Sequence, residues 1–118
     1  MIARIWRGNT RAEKAEEYLG YVEETGLKEY RRTPGNLGAV VLRRIERDAA
    51  EFLVVSFWED FEAIRRFAGP QPEKAVYYPE DDRYLLGKEP RVSHYEVAAG
   101  WQPEAREIPP APAVAKSA

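Results

Sequence analysis

Apolar and polar positions alternate over residues 2 to 7, IARIWR. Ile2, Arg4 and Trp6 fall on one side of a strand and Ala3, Ile5 and Arg7 on the other. Gly8-Asn9 ends this run, and Thr10 with Glu13 reads as a capping box that opens a helix. The period then lengthens to three and four: Ala15, Leu19 and Val22 form an apolar stripe with Tyr18 beside it. Gly26 ends or breaks the helix, and LKEYRR continues it for a turn or two before Pro34-Gly35. Strand patterning returns over residues 36 to 45, NLGAVVLRRI, and over residues 51 to 58, EFLVVSFW, which is rich in β-branched and aromatic residues. The short connection between them, Arg47 to Ala50, predicts a hairpin. Asp60 caps a second helix, FEAIRRFA, with Phe61, Ile64 and Phe67 inward and Gly69-Pro70 as its stop. A looser stretch holds VYYPEDDRYLL, and residues 91 to 97, RVSHYEV, form a last strand.

The order is β-α-β-β-α-β. With right-handed crossovers it predicts an α+β, ferredoxin-like subunit: one antiparallel sheet with both helices on one face. In EFLVVSFW, however, Phe52, Val54 and Trp58 face one way while Leu53, Val55 and Phe57 face the other. A half-exposed antiparallel strand alternates apolar with polar residues. Two helices cover one face only, so the second apolar face is expected to meet another copy of itself in a two-fold homodimer. The domain is expected over 1–98. The Pro/Ala-rich segment 99–118 reads as a C-terminal tail.

Composition narrows the chemistry. At 118 residues the chain has room for one core. The formal charge is −2, with both signs interleaved and no basic face, which argues against nucleic acid and anionic membrane as partners. The absence of cysteine excludes disulfides, thiolate chemistry and Cys-built metal sites. No apolar signal core opens the chain and no run approaches a membrane span, so a soluble cytoplasmic protein is expected.

Four features together resemble the antibiotic biosynthesis monooxygenase family of the dimeric α+β barrel superfamily. They are the first strand IARIWR, the PGN-x-G segment at Pro34 to Gly38, the passage VVSFWEDFEAIRRFAG, and the closing strand VSHYEV. The resemblance implies a pocket between sheet and helices in each subunit. There, family members oxidise polycyclic phenols without metal or flavin, degrade haem, or bind small ligands. Haem-degrading members carry an Asn on the first strand, a Trp on the second helix and a proximal His about ten residues beyond that Trp. In this chain Trp6 stands near the first position, Phe67 at the second and Tyr77 at the third. Haem degradation by that route is therefore not expected, although a tyrosine can ligate haem. Cofactor-free oxidation of a small hydrophobic phenolic or quinonoid compound is the better match, with a non-catalytic ligand-binding protein as the alternative.

Such chemistry needs an enclosed apolar slot, a group that takes a phenolic proton, and donors that stabilise the anion. His94, the sole histidine, is a candidate proton acceptor, or else a strand histidine bonded to a neighbour. Tyr77 is a second catalytic candidate. Tyr78, Trp58, Trp6 and Asn36 are candidate substrate contacts, each with a plainer alternative: a rim tyrosine, core tryptophans and a turn asparagine. Tyr77 and Tyr78 are adjacent, so if extended only one of them faces a pocket. Glu80, Asp81 and Asp82 do not read as a metal site, because consecutive helical residues splay about 100° apart. After Pro79 they suit the first turn of a short helix, as scaffold. No metal and no cofactor are expected.

Overall fold

The computed structural model describes residues 1–102 and 107–113. Four strands, β1 (Ile2–Arg11), β2 (Asn36–Glu46), β3 (Ala49–Trp58) and β4 (Ser93–Glu96), form one antiparallel sheet in the order β2-β3-β1-β4. The helical segments are α1 (Ala15–Val22), α2 (Lys28–Arg32), α3 (Phe61–Ala68) and α4 (Asp81–Tyr84). The order and topology are those of the ferredoxin-like arrangement expected from the periodicities.

The first strand runs four residues past the end that Gly8-Asn9 predicts. Residues 8 to 11 pair with Phe52 back to Ala49, and this ladder overrides the turn signal. Thr10 is therefore buried in the strand, and its hydroxyl bonds the Arg11 carbonyl rather than capping a helix. The chain enters α1 through a 3-10 turn, Ala12–Lys14, with no side-chain cap. Between α1 and α2 the chain takes a wider π-type turn, Glu23–Leu27. This is the break that Gly26 predicts, absorbed without ending the helical path.

Even-numbered residues of β1 and β3 point to the helices. Phe52, Val54 and Trp58 bury there against Tyr18, Tyr30, Ala63 and Ile64. Trp58 is fully buried, and its indole N–H donates to Ser56 Oγ at 2.9 Å. Phe61, expected inward, is 40% exposed at the near end of α3, and Ala63 takes the inward place. Odd-numbered residues, among them Leu53, Val55 and Phe57, turn to the opposite face and are only partly buried, and Leu42 on that face is 49% exposed.

The turns are specified locally. Asp60 accepts the Ala63 N–H at 2.9 Å and so caps α3, as the sequence predicts. Asn36 holds a bulge at the start of β2: its Nδ2 donates to the Phe57 carbonyl at 3.2 Å and its Oδ1 accepts the Gly38 N–H at 3.1 Å. Of the tail expected over 99–118, residues 103–106 and 114–118 lie outside the described residues. Glu107 pairs with Arg31 of α2.

Gly35 sits at φ 93°, and a Cβ there would run into the Ala63 side chain. Gly20, in α1, has open space at the same test. Gly35→Ala should therefore lower stability by about 1–3 kcal/mol, whereas Gly20→Ala should raise it by up to about 1 kcal/mol. Urea denaturation of the two variants checks both signs.

Candidate functional site

Two neighbours on the helix side of β1, Arg4 and Trp6, begin the site. Each pairs across the sheet with β3, Arg4 opposite Ser56 and Trp6 opposite Val54, and Arg4 also faces His94 of β4. The side chain of Arg4 is 1% exposed. Its guanidinium donates to the backbone carbonyls of Pro72 and, at 2.9 Å, Lys74. A further N–H lies 3.2 Å from His94 Nε2. Burial lowers the Arg4 pKa, and the Tyr30 and Tyr78 phenols oppose the shift. The guanidinium remains a cation all the same, because its reference value lies far above neutrality.

Trp6 lies 6.5 Å, ring to ring, from Tyr18 and 6.0 Å from Tyr77, stacked on the first and edge-on to the second. Gly8 leaves room for the indole: a Cβ there would collide with the far edge of the ring and lie 3.0 Å from Leu85. The Trp6 N–H is buried and has no hydrogen-bond partner among the described residues. Buried donors are rarely left so.

The third polar element is Asp81, 4% exposed at the start of α4. Its Oδ1 accepts the Tyr18 hydroxyl at 2.9 Å and its Oδ2 accepts the Tyr78 backbone N–H at 2.6 Å. Burial, and then Asp81, push the Tyr18 pKa well up, so the phenol stays protonated. Tyr78 is raised by burial and by its bond to the Glu29 carboxylate.

These groups line one cleft between sheet and helices, walled by Trp6, Tyr18, Tyr30, Phe67 and Tyr78, with Arg4 and Asp81 as its charged groups. Thr25 and Gly26 of the π-type turn complete the rim. The cleft is partly open to solvent and its free volume is small, about 30 Å³. It is a narrow cleft whose aromatic walls stand close together.

The candidate residues divide. Trp6 and Tyr78 line the cleft. Tyr77, the other member of the adjacent pair, lays its ring against Trp6 and gives its hydroxyl to the Glu89 carbonyl at 2.5 Å. Trp58 stands in the core, stacked on Phe67 at 5.8 Å, and Asn36 stands at the bulge. His94 lies beyond Arg4, beside Phe61 at 5.3 Å, in a separate, open hollow with Tyr95 and Glu96. Burial and Arg4 hold its pKa below the usual histidine value. From the sequence, Tyr18 reads as a neighbour of the α1 stripe and Asp81 as helix scaffold, and Arg4 is not singled out. For Arg4 a signal existed: a charge on the apolar side of a strand, in register with Trp6.

The family model for antibiotic biosynthesis monooxygenase matches residues 1–72. The chain belongs to the antibiotic biosynthesis monooxygenase family. A search of the curated proteins finds no match. Among solved structures, an antibiotic biosynthesis monooxygenase structure from Bacillus cereus is similar at 13% identity and a TM-score of 0.61, over 86% of this chain and 96% of that one. The haem-degrader MhuD from Mycobacterium tuberculosis, with two haems in its active site, is similar at 20% identity and a TM-score of 0.56, over 86% and 100%. A MhuD mutant with two manganese protoporphyrin IX molecules per active site gives 20% and 0.57, over 86% and 99%. At these identities the likeness is one of fold.

Haem fits these residues poorly. The cleft lining holds no imidazole, the Tyr77 hydroxyl is committed to Glu89 outside it, and the Tyr18 and Tyr78 phenols are committed to carboxylates. Among the described residues no cluster of His, Asp or Glu converges as a metal site.

Two outcomes follow from the site's own energetics. Tyr18→Phe leaves a buried Asp81 oxygen short of a donor and should cost about 1–3 kcal/mol, read by chemical denaturation. His94 has a folded-state pKa below its ordinary 6.5. The unfolded chain therefore binds this proton more tightly, and the native state loses stability as pH falls through about 6.5 toward the lower folded value. His94→Gln should flatten the thermal-stability profile in that window. A profile equally steep in wild type and variant would contradict the assignment.

Proposed function

We propose that this protein is a cofactor-independent monooxygenase that binds a small, flat, hydrophobic phenolic or quinonoid compound in the cleft between sheet and helices. The observation that carries the reading is the buried, unpaired N–H of Trp6, a residue that lines a cleft with aromatic walls. A ligand oxygen would supply the missing acceptor. The aromatic walls would hold the ring in place by offset and edge-on contacts. Arg4, buried beside the slot, would lower the energy of negative charge that develops on that oxygen.

In this reaction the electron-rich substrate reduces oxygen itself. A phenol and O₂ give a quinone and water: one oxygen atom enters the ring, the other leaves as water, and all four electrons come from the substrate. The protein's part is to orient the ring, exclude bulk water and hold the oxygen-centred charge. Trp6 and Tyr78 are the contacts proposed on the cleft side. Trp58 and Asn36 back the site from the core and the β2 bulge. His94 bears on Arg4, and Tyr77 buttresses the Trp6 ring. The subunit is proposed to pair with a second copy through the helix-free sheet face, where Leu42, Leu53, Val55 and Phe57 offer the apolar surface.

A second reading, a non-catalytic binding protein of the same family, is favoured by one observation. The cleft's phenols are all raised in pKa and the sole imidazole lies outside it, so no free base faces the slot. Oxygen-electrode assays separate the two. With hydroquinones, naphthols and anthrones, wild-type protein should accelerate oxygen uptake, and Trp6→Phe should lose about 10²-fold or more of that rate. Binding without any uptake across the panel would instead establish the second reading.

A further inference from the structure

The cleft is better built to hold a negative charge than to create one. Arg4 is only 1% exposed, yet its partners are two neutral backbone carbonyls, an imidazole and the face of the Phe67 ring, 5.6 Å from the guanidinium carbon, with no carboxylate among them. None of the ion pairs among the described residues includes it. A buried cation without a counter-charge carries a desolvation penalty that an anion would relieve. Two residues along the same strand face, Trp6 presents its own unpaired and buried donor. Asp81 is the carboxylate of the lining, and each of its oxygens already receives a donor, one from Tyr18 and one from Tyr78. Asp81 is thus compensated where Arg4 is not.

The groups that face Arg4 point the same way. His94, on β4, receives an Arg4 N–H at Nε2 and is held neutral, with Glu73 opposing that shift. Tyr30, on α2, and Tyr78, before α4, remain protonated phenols. None of these is poised to remove a proton from a neutral phenol.

We propose that the cleft takes up its ligand as a preformed aromatic oxyanion, a phenolate or an arenecarboxylate, with the charged oxygen held by Arg4 and the Trp6 N–H. This rests on the reading of the cleft as the ligand site, and it assigns that ligand a charge. It also removes the need for a catalytic base: the proton leaves in solution, and the protein selects the ionised form.

Calorimetric titration of the full chain tests it with two matched pairs: para-nitrophenol against its methyl ether, and naphthoate against naphthamide. The nitrophenol should bind with constant affinity above its own pKa and lose about tenfold per pH unit below it. The ether should bind at least about tenfold more weakly than the phenolate. Trp6→Phe, which keeps an aromatic wall but removes the N–H, should weaken the anion about tenfold more than it weakens the ether. Arg4→Met should weaken the anion further, provided its thermal unfolding stays cooperative, and Trp6→Phe carries the test if it does not. Stronger binding by naphthoate than by nitrophenolate identifies the carboxylate as the favoured anion. Equal affinity within both pairs overturns the oxyanion reading and leaves the cleft as a neutral aromatic site. No binding by any probe overturns both readings.

Discussion

One buried guanidinium ties together parts of the chain that are far apart in sequence. Arg4 stands in the central region of the sheet, on β1, and its donors reach the carbonyls of Pro72 and Lys74 and the ring of His94 on β4. The segment between α3 and α4 has no strand or helix of its own beyond a bridge from Lys74 to Arg91. Arg4 anchors it onto the sheet. That segment carries Val76 and Tyr78 to the cleft and delivers Asp81 to Tyr18. The cleft therefore exists in this form because an interior charge recruits backbone oxygens that would otherwise need water. The arrangement also explains how a long, irregular connection stays packed: two of its carbonyls are satisfied from below.

The ladder of the fold was legible because strand and helix periods differ sharply in this chain. Alternation in IARIWR and EFLVVSFW, the three-four spacing of Ala15, Leu19 and Val22, and Asp60 before FEAIRRFA each report a local preference that the tertiary structure leaves in place. The misreadings came where a distant partner outweighed a local signal. Thr10 has a good capping sequence, but residues 8 to 11 gain a full ladder from Phe52 to Ala49. Asp81 looks like a first-turn acid, and it is one, but a tyrosine from α1 reaches over and buries it. That contact spans 63 positions of sequence, so no window along the chain contains both ends. Tyr77 and Tyr78 did divide between two environments, as adjacent extended residues must.

The family sets the fold and leaves the chemistry to the lining. This chain shares its architecture with a haem-degrader at 20% identity. At the positions expected to distinguish such proteins, it packs Phe67 against Trp58 and Tyr30, and Tyr77 against Trp6. The same backbone thus frames a slot whose walls are rings and whose polar groups are few, with most of those already engaged. What distinguishes the site is the small remainder: one unpaired indole N–H and one uncompensated guanidinium.

Gly8 gives that remainder its shape. The Trp6 ring lies over a residue with no side chain, and the space that a methyl group would fill is taken by the indole edge, with Leu85 just beyond. The position of the cleft's key donor is thus set by an atom that is missing two residues further along the strand, outside the cleft lining itself. A change at this one position would shift the Trp6 ring without substituting any residue of the cleft lining. The shape of such a cleft can change while every residue that lines it stays the same.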